Sequence, residues 1–138
     1  MKKNIFISLA IAFATAILLM SFSYPEDKDY GSEWEIPAKY KEMENPYAND
    51  KGLKNVGKGL YMKHCRSCHG NKGAGDGPKA RMMKVKMHDL AGDKVQSHTD
   101  GELYYMSIMG RDEMPNYESK IGDDEDRWAL INYIRSMK

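Results

Sequence analysis

The sequence predicts a small all-α domain with long loops. Three observations predict it. No stretch alternates apolar and polar residues with the period of two that marks a strand. Residues 56–61 and 123–137 carry apolar side chains at helical spacing. Between them, residues 70–80 and 111–121 are dense in turn formers. The chain has 138 residues, enough for one small domain and a tail. So little regular structure around a modest core implies that something besides side chains fills the interior.

The N-terminus differs from everything after it. Lys2 and Lys3 are the only charges in residues 1–23, and the run from Ile5 to Phe22 is uncharged and mostly apolar. As a helix that run would be about 27 Å long, near the lower limit for crossing a bilayer. It also fits a secretory signal, with Ser21 and Ser23 as small residues before a cut at Tyr24. A cleaved signal and a retained anchor over residues 5–22 both place the body of the protein outside the cytoplasm, in the periplasm or facing it from the membrane. Beyond residue 23 the chain holds 19 basic against 20 acidic residues. That near-neutral balance gives no case for nucleic-acid binding.

Residues 24–50 are polar and read as a linker, with Trp34, Pro37, Pro46 and Tyr47 as anchors that lay its second half on the domain. The compact domain is expected over residues 51–138. Val56, Leu60 and Tyr61 follow helical spacing, although Gly57 and Gly59 lower the propensity of that helix. Glycine there permits close backbone packing. Thr99 and Glu102 form a capping-box pattern for a helix running to about Met109, with Gly110 as its stop. The last helix has Asp123, Asp124, Glu125 and Asp126 where acidic residues favour its dipole. Leu130, Ile131 and Ile134 make its apolar stripe, extended by Trp128 and Met137.

The chemistry lies between the first helix and the glycine-rich loop, in His64-Cys65-Arg66-Ser67-Cys68-His69-Gly70. C-x-x-C-H is the attachment pattern for c-type haem. Two thiols three positions apart lie on one side of a helical turn, within reach of both vinyl groups of one porphyrin, and the next residue is held beneath the iron. A thiol–disulfide motif uses C-x-x-C without the histidine and favours a βαβ setting, of which the sequence has no sign. Zinc needs four ligands, and His88 and His98 are spaced ten apart with no second cysteine pair.

With Cys65-x-x-Cys68-His69-Gly70, a glycine-rich loop, a later Met114-Pro115 and a C-terminal Trp128-x-x-x-x-Tyr133 helix in order, residues 50–138 resemble a class I c-type cytochrome of the bacterial monohaem type. Residues 34–46 are similar to the lead-in of some bacterial members. The resemblance implies a cytochrome c-like helical domain wrapped around one covalent haem c. It implies an electron carrier, not an enzyme, acting as a shuttle or as the haem subunit of a respiratory complex, with redox proteins of an electron-transport chain as partners. The alternative is a haem-based ligand sensor with a displaceable sixth ligand.

The family pattern makes His69 and Met114 the iron ligands. Met114 follows His69 by 45 residues, and His/Met ligation raises the reduction potential. Met106, Met109, His88 and His98 compete with it. The pattern also offers the carbonyl of Pro78 as acceptor for the free ring N–H of His69. Trp128 and Tyr133 are expected against Gly57, Leu60 or Tyr61, and His64 on the surface. Lys72, Lys79, Arg81, Lys84 and Lys86 form a basic stretch that could be a solvated face or a docking site for acidic partners.

Overall fold

The computed structural model describes residues 33–138, so the expected leader or anchor and the start of the linker lie outside the described residues. The order is α1 (Ala38–Lys41), α2 (Leu53–His64), α3 (Arg66–His69), a 3₁₀ turn (Ala80–Met82), α4 (Asp93–Gln96), α5 (Asp100–Tyr104) and α6 (Asp124–Arg135). A π-helical turn, Tyr105–Met109, continues α5. No strand occurs among the described residues, and none of their helices is long and apolar enough to cross a membrane.

The pairing of α2 with α6 is the most extensive contact between elements. Gly57 makes it possible. A Cβ built there would lie 1.9 Å from the carbonyl oxygen of Ala129 and 2.9 Å from Cβ of Tyr133. The helices therefore meet backbone to backbone at a point where no side chain fits. The stripe that α2 buries is Leu53, Gly57 and Tyr61. Val56, expected on that stripe, is 40% exposed instead. Its position one residue before Gly57 turns it about 100° away from the crossing. From α6, Trp128, Leu130, Ile131 and Ile134 are buried, each contributing roughly 1.5–3 kcal/mol through apolar burial.

Tyr133 reaches the expected partners, with its ring 5.3 Å from that of Tyr61. Trp128 is buried in the same core cluster. It packs on Tyr104 at 4.7 Å and donates Nε1–H to Asp124 at 3.1 Å. The capping box is formed on both sides: Thr99 Oγ1 accepts from Glu102 N–H at 3.2 Å, and the Glu102 carboxylate accepts from Thr99 N–H at 2.8 Å. That second bond is the main reason the Glu102 carboxyl is held below its ordinary pKa.

The lead-in is stitched to the domain. Asn45 Nδ2 donates to Asp100 at 3.0 Å and to Asn132 at 2.8 Å, and Asn132 returns a bond to the Tyr47 carbonyl at 2.7 Å. Tyr40 packs between Tyr104 and Tyr105, and Ile36 is buried. In the same last turn of α6, Arg135 binds Asp100 at 2.7 Å and the carbonyl of Gln96 at 2.8 Å, closing the α4–α5 corner.

Two substitutions separate close packing from helix propensity. Gly57→Ala forces the helices apart and is expected to cost at least about 2 kcal/mol in chemical denaturation. Gly59→Ala meets nothing within 4 Å and is expected to stabilise by up to about 1 kcal/mol.

Candidate functional site

The site is built from the end of α2. Cys65 joins α2 to α3, and its N–H continues the helical ladder to Tyr61 O at 2.8 Å. The short α3 then carries Cys68 and His69. The glycine-rich loop folds back beneath it. Gly75 N–H bonds His69 O at 3.0 Å, Gly77 N–H bonds Cys68 O at 3.1 Å, and Lys79 N–H bonds Ser67 O at 2.8 Å. These donors satisfy carbonyls that a one-turn helix leaves open. The buried Tyr61 hydroxyl donates to Gly70 O at 2.7 Å and fixes the exit from the motif.

Cys65, Cys68, His69 and Met114 all line one cavity of about 940 Å³. That is near the top of the range for cofactor pockets, ~300–1,000 Å³. Its wall is largely apolar: Ile36, Val85, Leu90, Val95, Leu103 and Ile134 contribute to it. Lys86, Lys94 and Arg111 line it too, as charges suited to the carboxylates of a porphyrin.

Met114 sits in a tight turn just after the π-helical segment. Its N–H bonds the Arg111 carbonyl at 2.8 Å, and the two residues form an isolated antiparallel bridge. Asp112 between them has φ +50°, in the left-handed region that Asp tolerates better than most residues. Gly110 has φ +64°, and a Cβ there would lie 2.3 Å from the Met114 carbonyl oxygen, so the turn closes on a glycine.

The electrostatics favour a neutral site. Burial, with His88 as a second cause, holds His69 below the ordinary imidazole pKa, so its ring is neutral at pH 7 as a metal ligand requires. Burial, reinforced by Cys68, pushes the Cys65 thiol up to about 12. Such a thiol is a poor thiolate, unlike the attacking cysteine of a thiol–disulfide enzyme. Both cysteines are free thiols in the structure. Among the described residues no group of three or more His, Cys, Asp or Glu side chains is placed to hold a metal ion.

Two expectations change. Nδ1 of His69 is buried without a hydrogen-bond partner, so the bond expected to the Pro78 carbonyl is not made. Pro78 is exposed, and the loop around it donates N–H groups to the α3 carbonyls. His64 is half-buried rather than fully on the surface. Its ring packs edge-on to Tyr117 at 5.5 Å, its Nε2 is buried without a partner, and Tyr117 donates its hydroxyl to the His64 carbonyl at 2.9 Å.

The rivals for the iron divide. Met106, His88 and His98 line the cavity, whereas Met109 packs against the core outside it. His98 is engaged by Glu102, with Nδ1 3.3 Å from the carboxylate. Met83, Met87 and Tyr117 also line the cavity, and the sequence reading did not single them out. Their only signal was an apolar residue at irregular spacing, which no period distinguishes from an ordinary loop.

The cavity, the paired thiols and the buried neutral imidazole fit a covalently held haem. The orphaned Nδ1 is a buried polar group that costs free energy, and a ring kept in place for a ligand role accounts for it. No curated protein matches the chain. Residues 53–134 match the family described as cytochrome C oxidase, cbb3-type, subunit III. That span runs from the first residue of α2 into the last turn of α6 and includes the C-x-x-C-H motif and Met114. The chain thus belongs to this family of c-type cytochrome domains, which carry covalent haem c and transfer electrons through it.

Proposed function

We propose that the domain is the electron-carrying haem subunit of an extracytoplasmic respiratory complex, with His69 and Met114 as its axial ligands. The observation that carries this reading is the presence of both thiols, the neutral imidazole and the Met114 thioether on one largely apolar cavity. When bound, haem supplies a one-electron couple between ferric and ferrous iron. Cys65 and Cys68 hold it as thioethers. His69 offers a nitrogen lone pair that protonation does not block at neutral pH. Met114 offers a soft, uncharged sulfur, and a filled sixth position leaves no place for a substrate at the metal. The apolar wall keeps water away, which limits reorganisation around the changing charge.

The basic stretch has a position that suits partner docking. The 3₁₀ turn Ala80–Met82 follows directly on the bond from Lys79 to α3. Met82 is 74% exposed, and Lys79, Arg81 and Lys84 around it are exposed as well. Met83 and Val85 of the same stretch turn inward to line the cavity. An acidic redox protein meeting this patch would approach the cofactor along a short stretch of chain, with charge steering the encounter.

Two measurements test the reading. Met114→Ala is expected to keep its covalent haem but lose the sulfur-to-iron charge-transfer absorption. Its potential should fall by on the order of 0.1 V or more, within the ~0.8 V range that axial ligands span. An unchanged spectrum and potential would remove Met114 from the iron. In stopped flow with a small acidic redox protein, electron transfer should slow about tenfold between low salt and ~0.5 M salt. Lys79→Glu with Lys84→Glu should abolish most of that dependence and leave the potential alone. Rates indifferent to ionic strength would sink the docking patch.

A further inference from the structure

Residues 33–36 precede the span matched to the family, yet they line the cavity. What holds them there also holds the turn that presents Met114. The Arg111 guanidinium carbon lies 4.3 Å from the centroid of the Trp34 ring. Arg111 Nη1 donates to the Glu33 carbonyl at 3.0 Å. The Trp34 ring stands edge-on to Tyr105 of the π-helical turn at 6.3 Å, and Ile36 is 8% exposed. The lead-in is therefore seated at three places, two of them on Arg111 and Tyr105, which flank the start of the Met114 turn.

Arg111 passes this restraint on. Met114 N–H bonds the Arg111 carbonyl at 2.8 Å, and the pair forms the isolated bridge. Elsewhere the turn is thinly held. Asp112 is exposed, with its carboxylate 3.7 Å from Arg111 Nε, and Pro115 has no N–H to give. Glu113 is tied by its carboxylate to Lys84 N–H at 2.8 Å, a bond exposed to water. A thioether is a weak, neutral ligand, so its hold on iron depends on how well its backbone is held.

We infer that Trp34 is a positioning residue: by clamping Arg111 it holds the Met114 turn in place on the wall of the cavity that would take the haem. The inference rests on Met114 being the sixth ligand. Trp34 acts through Arg111, which it meets face-on, and through Tyr105, which it meets edge-on. The cation–π contact supplies attraction, and the bond to the Glu33 carbonyl supplies direction.

The test uses the full-length haem-loaded protein and the rate at which carbon monoxide binds its ferrous form, because that rate follows the opening of the sixth position. Met114→Ala comes first as the control. It should bind carbon monoxide far faster than wild type; if it does not, the Met114 reading itself fails. With that control satisfied, Trp34→Ala and Arg111→Ala should each raise the rate about fivefold or more, the size of one lost cation–π contact. The double variant should match the faster single one, because both remove the same clamp. Rates within twofold of wild type in both single variants would overturn the clamp. So would strictly multiplicative effects in the double variant, which would make Trp34 and Arg111 independent. If Trp34→Ala does not retain haem, Trp34→Phe and Arg111→Gln replace it. The phenyl ring keeps the apolar wall while weakening the cation contact. Both should still speed binding, and unchanged rates would again overturn the clamp.

Discussion

The approach of α2 to α6 at Gly57 is the constraint on which the other parts depend. With a Cβ position only 1.9 Å from a backbone oxygen of α6, the helices lock at one place and one register. From that crossing α2 runs one more turn to Tyr61, whose ring is buried against Tyr133 and whose hydroxyl reaches Gly70. The motif is thus gripped on both sides, by Tyr61 before it and by the Gly70 carbonyl after it. Cys65, Cys68 and His69 inherit their placement from a packing contact two turns upstream.

The remaining walls of the cavity come from chain that is not strongly structured by itself. The loop after His69 bonds the α3 carbonyls, and the Met114 turn closes on Gly110 and Arg111. Neither has the local propensity of a long helix. Each is ordered by backbone bonds to something already in place. This division suits a carrier. The cysteine and histidine side is held by helix packing, and the methionine side is a turn held by backbone bonds. Burial acts in the same direction on both, keeping Cys65 a neutral thiol and His69 a neutral imidazole.

Several features were legible because the physics that produces them is local. The capping box is four consecutive residues, and its two reciprocal bonds are formed. The stripe of α6 repeats with the helical period and is buried. Other features were misread for an equally physical reason. Val56 and Leu53 both lie on α2, and only the partner at Gly57 decides which of them faces inward. His64 looks like a solvent-facing residue until Tyr117, 53 positions later, packs against it. Pro78 sits at the family's position for accepting from His69, yet the ring nitrogen is buried without a partner, and nothing in the local sequence records that.

By itself, the sequence determined the chemistry at the cysteine motif: two thiols and an imidazole within five consecutive residues, whose spacing needs no distant partner to be meaningful. It also determined the helical class, since periodicity is a property of neighbours along the chain. Only the tertiary structure decided what closes over that motif. Ile36, Leu90, Met106 and Met114 come to one cavity from four separate segments, and the Trp34–Arg111 contact spans 77 positions. Such contacts depend on where the backbone has already been placed by the α2–α6 crossing, and no local pattern records that placement.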